Sequence, residues 1–394
     1  MKQMVGLRNK GRDYGKYALL LSVIALTLLC SCDSEHAFYA QYDDVDYAYC
    51  VTAGLDGELY LGCQRKTNQE YIYEGELLKV DANGQFRQMS QLDGVSSIQA
   101  LIIDGTDFIT LCDVSMDIFE NSLSLVKVDS EGTCLWSTEY DDFQNSHGMA
   151  LISAKDEGYL VAGCAGMFPN QQGLIVKFTQ GGAIEWSRVY GSNDIALFSD
   201  IIPVDDGYLA IGNAASQDHE GDICFLLMND EGNELGRTFG GLVYETSGSV
   251  LLQAHESIVA LCGTSARDHV DPVLFTLDDS FAVENVVNLG SASLVEFAID
   301  MQMSPNGNLI VLVSRFNSEQ NGSGIYLLEI TEQGDIQRQR EITPETGYII
   351  PSGFMIMEDA SLYITGYHDP AGSTGNSNSA FLLRTDTSWN VTLP

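Results

Sequence analysis

The sequence predicts an all-β chain built from repeats, and three observations carry that prediction. Runs of five to seven residues rich in Leu, Ile, Val, Tyr and Phe recur along the 394 residues, bounded by Asp-Gly, Asn-Gly or Glu-Gly pairs of the kind that make tight β-turns. Two turn markers keep one phase along the chain. The first is Asp56-Gly57, Asp104-Gly105, Glu157-Gly158, Asp206-Gly207, His255-Glu256, Asn306-Gly307 and Asp359-Ala360, each just ahead of a run such as LYLGC, YLAIG or LYITG. The second is Asn83-Gly84, Glu131-Gly132, Gly181-Gly182, Glu231-Gly232, Asp279-Ser280, Gln333-Gly334 and Thr387-Ser388, at intervals of 48, 50, 50, 48, 54 and 54 residues. No segment beyond the N-terminal leader shows capped helical periodicity. Seven copies, each with room for four strands, predict a seven-bladed β-propeller of four-stranded antiparallel blades.

The clearest copy is 205–240: an acidic turn, the run Tyr208 to Ile211, a polar loop, the run Cys224 to Met228, and a second turn. Phe198 to Val204 supplies its first strand. Read alone, Asp205, Asp206, Asp230 and Glu231 look like ligands. Set beside six other copies they are turn residues, because a hairpin needs a residue tolerant of positive φ at that place. The blades are expected near 47–92, 93–140, 141–190, 191–240, 241–290, 291–342 and 343–394. Trp389 to Leu393 is the expected last strand, with His36 to Tyr42 as an alternative closing strand.

The first 31 residues read as a leader: Lys2, Arg8, Lys10, Arg12 and Lys16 precede an apolar stretch from Tyr17 to Leu29. Thirteen residues are too short for a mature span, which needs about 20. The leader holds five of the 19 Lys and Arg and one of the 55 Asp and Glu, leaving 14 against 54 and a net charge of −40 on the mature chain. Such a surface repels phosphate backbones and anionic headgroups, so nucleic acid is not an expected partner. Residues 32–46, with Asp43, Asp44 and Asp46, read as an acidic tether.

Leu29-Cys30-Ser31-Cys32 resembles the lipobox of bacterial lipoproteins, which implies cleavage before Cys32, lipidation (palmitate) of its thiol and a membrane anchor. Asp33, Ser34 and Glu35 resemble the surface-export signal of lipoproteins of the Bacteroidetes kind, implying a place at the outer membrane, facing the cell surface; Asp33 directly after the Cys also resembles the inner-membrane retention signal of enteric lipoproteins, the alternative to that place. Gly132-Thr-Cys-Leu-Trp136 and Gly182-Ala-Ile-Glu-Trp186 resemble the Gly-x-x-x-Trp of quinoprotein-like propeller repeats. That resemblance implies the fold and blade-docking roles for the tryptophans, and carries no cofactor with it. Gln88, Gly236 and Arg338 stand where other blades would carry the Trp.

Chemistry is sparsely signalled. The six histidines show no ligand spacing, and VDANG, VDSEG and MNDEG lack the alternating Asp ligands and distal Glu of a calcium loop, so no metal is expected. No nucleophile elbow, P-loop or dinucleotide fingerprint is present, so no cofactor is expected either. Beyond Cys30 and Cys32 the seven cysteines are odd in number, and Cys63, Cys112, Cys164 and Cys262 recur at matching strand positions, which favours buried free thiols over disulfides.

What remains is the ring of first strands around a propeller's channel: Cys50, Ile98 with Gln99, Leu151 with Ala150, Asp200, Ser249, Asp300 and Gly353. Gln99, Asp200, Ser249 and Asp300 are the candidate ligand-binding residues at the channel mouth. The expected function is a lipid-anchored, non-catalytic binding or scaffold module for a glycan or an envelope protein. The alternative is a polysaccharide-acting hydrolase or lyase using Asp200 and Asp300 as acid and base.

Overall fold

In the computed structural model the apolar runs are strands and no helix occurs among the described residues, which are 37–393 apart from 68–71, 118–119, 144, 168–169, 192–194, 215–221, 241–245, 256, 267–268, 292–293, 318–321, 346 and 371–377. The leader, Cys30, Cys32 and the residues up to His36 lie outside the described residues. Strands group by hairpin pairing into successive four-stranded antiparallel units at 47–91, 97–139, 146–190, 195–239, 246–288 and 295–342, followed by a last unit at 348–384. The last two units share one sheet through a single parallel bridge, Ser323 to Tyr348.

Burial explains which runs are continuous and which alternate. The second and third strands of each unit are covered on both faces, so Tyr159–Ala165 and Gln172–Phe178 are apolar and buried along almost their whole length. Outer strands such as Glu234–Phe239 face solvent on one side and carry charge. The core is therefore not one mass but a series of apolar seams, each between two neighbouring units. Ile109, Leu111 and Leu125 meet Val161, Leu174 and Phe178 across one seam. The first unit's Val45, Leu59 and Leu61 meet Tyr363, Ala380 and Leu382 of the last unit across another.

A second set of contacts links the outer strands in the same direction around the molecule. Ser90, Trp136, Trp186 and Val287 each cover the turn glycine of the following unit, Gly132, Gly182, Gly232 and Gly334. These turns run at positive φ, +85° at Gly182 and +76° at Gly232, and a Cβ there would stand 2.6 Å from the Trp136 ring and 2.7 Å from the Trp186 ring. Glycine is thus required twice over, by the turn and by the indole. Arg338, in a Trp position, places its guanidinium 3.7 Å over Trp389 and donates to the Thr387 carbonyl at 3.0 Å.

Closure differs from the expected last strand. Trp389 to Leu393 forms no strand: Trp389 sits in a turn at φ +61°, its indole fully buried and its Nε1 donating to the Ala360 carbonyl at 3.3 Å. The outer place is filled by Phe38–Tyr42, which pairs antiparallel with Ser379–Arg384 over five residues, Phe38 opposite Arg384 and Tyr42 opposite Ala380. Residues 38–42 of the expected tether are therefore structural. The physical reason is aromatic: Tyr39 stacks on Phe381 with centroids 5.9 Å apart, and Phe38 covers Gly84 of the first unit. Tyr42 donates to the Gly84 carbonyl at 2.9 Å.

Five of the seven described cysteines are buried: Cys63, Cys112, Cys164, Cys224 and Cys262. Burial pushes the thiols of Cys50 and Cys112 up to about 12, which makes them inert packing groups.

Candidate functional site

Each first strand carries a β-bulge at the same place. Register shifts fall between Ala48 and Cys50, Ile98 and Ala100, Gly148 and Ala150, Phe198 and Asp200, Ser247 and Ser249, Ala298 and Asp300, and Pro351 and Gly353. A bulge inserts one unpaired residue and re-aims its neighbours. The residues after it are Cys50, Ala100, Ala150, Asp200, Ser249, Asp300 and Gly353, so five of the predicted ring positions share one structural place. Ile98 and Leu151 lie off that place and are buried between units. Gln99 is the extra residue of its bulge, and Ser249 pairs with Cys262.

Asp200 and Asp300 are bound alike. Asp200 accepts from its neighbour Ile201 N at 2.8 Å and, from the following unit, Leu251 N at 2.7 Å. Asp300 accepts from Met301 N at 2.7 Å and from Gln302 Nε2 at 3.1 Å, while Gln302 also donates to the Phe354 carbonyl of the following unit at 2.5 Å. Both carboxyls are crowded by protein. Burial raises Asp200 to about 7, held from rising further by the N–H groups of Leu251 and Ile201, with the Asp300 charge adding a small upward push. Burial raises Asp300 to about 6 against three hydrogen bonds. The arrangement clasps one unit to the next.

The predicted Gln99 belongs elsewhere, at the end where first strands begin and second strands finish. Its amide donates to Ser97 Oγ at 2.8 Å and Asp113 Oδ2 at 3.1 Å. His147 Nδ1 lies 3.6 Å from Asp113 Oδ1, and that carboxylate raises the imidazole pKa. Asp113 Oδ1 is buried and otherwise has no hydrogen bond. Asp113, not the histidine, is the centre of this cluster, so it lacks the order of a nucleophile triad.

Beside it lies a group that sequence reasoning missed. Tyr47 and Tyr49 stack at 6.3 Å, and Tyr367 of the last unit meets Tyr47 edge-on at 4.9 Å and 72°. Tyr49 donates to Gln64 Oε1 at 2.8 Å, Gln64 donates to the Ser96 carbonyl at 3.3 Å, and Asn378 donates to the Tyr47 hydroxyl at 2.8 Å. Aligning the copies at the bulge would have found it, since Tyr49 corresponds to Gln99, Met149, Ser199, Gly248, Ile299 and Ser352.

The acidic turns behave as turn chemistry. Asp81, Asp129, Asp278 and Asp386 each accept the N–H groups two and four residues on, at 2.7–3.0 Å. Asp56 and Asp104 of the first marker, and Asp156 just ahead of Glu157-Gly158, pair with Lys79, Lys127 and Lys177 of third strands, at 3.0, 2.6 and 2.6 Å. No group of three metal-ligating side chains occurs among the described residues.

No protein-family model and no curated protein sequence matches the chain. Solved structures do resemble it. The β-propeller domain of the trilobed protease from Pyrococcus furiosus, which has an open velcro topology, aligns with TM-score 0.52 and 11% identity over 89% of this chain and 98% of that one. Sqt1 from Chaetomium thermophilum aligns with TM-score 0.51 and 12% identity over 88% and 97%. A 6-phosphogluconolactonase-like protein from Bacteroides uniformis aligns with TM-score 0.50 and 11% identity over 74% and 84%. At these identities the likeness speaks to the fold and to no chemistry. The chain is a β-propeller.

Proposed function

We propose that the chain is a closed seven-bladed propeller, anchored by a lipid on Cys32 at the outer membrane and displayed at the cell surface as a binding module for a glycan or an envelope protein. The observation that carries this reading is the place of the strand Phe38–Tyr42. It begins beside the Gly84 turn, at the turn face of the ring. Only five residues separate it from Cys32, a reach of at most about 22 Å over six Cα-to-Cα steps. The turn face is thereby held toward the lipid. The opposite face, with Tyr47, Gln99, Asp113 and His147, points away.

Seven seams support closure, the last joining the first and final units through Tyr363, whose hydroxyl donates to the Ala82 carbonyl at 2.7 Å. The charge of the mature chain repels anionic headgroups, so acyl chains must supply the attachment, at ~0.8 kcal/mol per buried CH₂. Replacing Cys32 by Ala is expected to move the protein from the membrane pellet to the soluble fraction, and to abolish metabolic labelling with palmitate. A Cys32→Ala protein that stays in the pellet and keeps its label excludes this anchor.

One observation favours a second reading as an acid-base enzyme on polysaccharides: the carboxyls of Asp200 and Asp300, at about 7 and about 6, titrate where a general acid would. Their bonds to the following unit favour the structural role instead. Asp200→Asn and Asp300→Asn are expected to leave any polysaccharide turnover unchanged; a loss of 100-fold or more in both would establish the enzyme reading.

A further inference from the structure

Most of what the copies share is accounted for by turns, seams and clasps. What differs between them collects at the face opposite the Phe38 turn, and unevenly. Two positions before the bulge the units carry Tyr47, Ser97, His147, Leu197, Thr246, Phe297 and Ile350; at the bulge itself the aromatic residue is Tyr49 alone. Tyr47, Ser97 and His147 stand on the first three units, and Tyr367 and Asn378 of the last unit meet Tyr47 across the seam that the N-terminal strand closes.

Three features of this quarter point to one ligand chemistry. The rings of Tyr47, Tyr49 and Tyr367 are half-buried and form an aromatic platform, Tyr49 stacked on Tyr47 at 6.3 Å and Tyr367 edge-on to Tyr47 at 4.9 Å. The phenols stay neutral: burial raises Tyr47, Tyr49 and Tyr367 above the ordinary tyrosine value, with neighbouring acids pushing the same way. The Tyr47 hydroxyl accepts from the Asn378 side-chain amide at 2.8 Å. The side-chain amides of Gln64 and Asn378 stand beside these rings, bonded to the Tyr49 and Tyr47 hydroxyls.

Tyrosine rings bordered by the side-chain amides of Gln64 and Asn378 suit the C–H face and hydroxyl edge of a pyranose. A mature charge of −40 disfavours an acidic sugar. We propose that the Tyr47–Tyr49–Tyr367 platform at the seam of the first and last units is a subsite for a neutral sugar residue of an oligosaccharide chain. This rests on the binding-module reading and names its ligand class and place. The platform faces away from the anchored side, where a polymer outside the cell can reach it.

The test is calorimetric titration of the full lipidated chain, in a polyoxyethylene detergent free of sugar, with cellohexaose, xylohexaose and mannohexaose, and with tetramethylammonium as the competing chemistry. Wild type is expected to bind at least one hexasaccharide. Tyr47→Ala and Tyr367→Ala are expected to weaken it at least tenfold, and the double variant Tyr47→Phe, Tyr367→Phe, which keeps the rings and loses only hydroxyls, three- to tenfold. Asp200→Asn, in the clasp between two other units, is expected to leave hexasaccharide binding unchanged. If the alanine variants fail to fold, the phenylalanine pair decides: unchanged binding overturns the subsite. Hexasaccharide binding lost in Asp200→Asn but kept in the tyrosine variants overturns the subsite while leaving the glycan module standing. No hexasaccharide binding, or binding of tetramethylammonium instead, overturns the sugar assignment, and the Cys32→Ala fractionation then shows separately whether the anchored-module reading survives.

Discussion

A chain that begins at residue 43 is expected to lose its cooperative thermal transition, or to melt far below the chain that begins at residue 33. The strand removed, Phe38–Tyr42, is short but carries the closure. Its five backbone pairs cover the outer edge of Ser379–Arg384. Its side chains fill three places: Tyr39 against Phe381 with its hydroxyl 3.2 Å from His368 Nδ1, Phe38 over Gly84, and Tyr42 bonded to the Gly84 carbonyl at 2.9 Å. Truncating one buried aromatic residue typically costs about 3–5 kcal/mol. Losing three partly buried ones together with an edge strand is expected to cost on the order of 5 kcal/mol or more, against a typical total stability of about 5–15 kcal/mol. The exposed strand edge is also a template for aggregation. Differential scanning calorimetry with size-exclusion chromatography reads both effects. A truncated chain within about 2 °C of the longer one would mean that the face-to-face seam alone holds the ring, in the range where a small domain loses less than about 1 kcal/mol.

The second large effect is a pH dependence that Asp200→Asn removes. An unfolded aspartate titrates near 3.9, while in the folded chain Asp200 keeps its proton to about 7 and Asp300 to about 6, because burial penalises the anion. Between those limits the folded state binds more protons than the unfolded state. Stability from these two groups is therefore fully present below about pH 4 and is lost as pH rises through 6 to 7. The full shift at Asp200 corresponds to about 4 kcal/mol, and solvent screening of a carboxyl that is not fully sealed reduces this to about 1–3 kcal/mol. Asn stays neutral and keeps a carbonyl oxygen for the Leu251 N–H. At about pH 3.5, below the unfolded value, the variant is expected to match wild type; at pH 8 it is expected to be more stable by that margin. Urea unfolding at the two pH values measures it. A variant less stable than wild type by 1 kcal/mol or more at pH 8 would show that the clasp requires the anion.

The parts of this fold that were legible in the sequence are those fixed by local chemistry. Turn residues at two phased positions revealed the copies, because Gly, Asn and Asp are selected there by backbone conformation rather than by distant contacts. Gly132-x-x-x-Trp136 and Gly182-x-x-x-Trp186 pointed to docking for a similar reason: the glycine and the indole that covers it sit at fixed offsets in adjacent units. The closing strand was less legible, since Phe38–Tyr42 and Trp389–Leu393 are both short apolar runs and only the competition for one sheet edge separates them. Trp389 lost that competition because its indole is worth more buried than displayed on an outer strand. Asp200 and Asp300 were found by counting back along the first strand, yet their partners, Leu251 N and Phe354, lie some 50 residues away and belong to the next unit. The tyrosine platform was hidden for the same reason, for Tyr47 and Tyr367 are neighbours only once the first unit has met the last.

Closure by the N-terminal strand fixes the seam between the first and last units, and the proposed anchor and ligand face both rest on it. Hydrogen–deuterium exchange of the full mature chain tests it without any substitution. The amides of Phe38–Tyr42 should exchange as slowly as those of an ordinary outer strand such as Cys134–Glu139, and Leu382 and Leu383 as slowly as a strand paired on both sides. Exchange of Phe38–Tyr42 within seconds, at the rate of a free tether, would contradict the account.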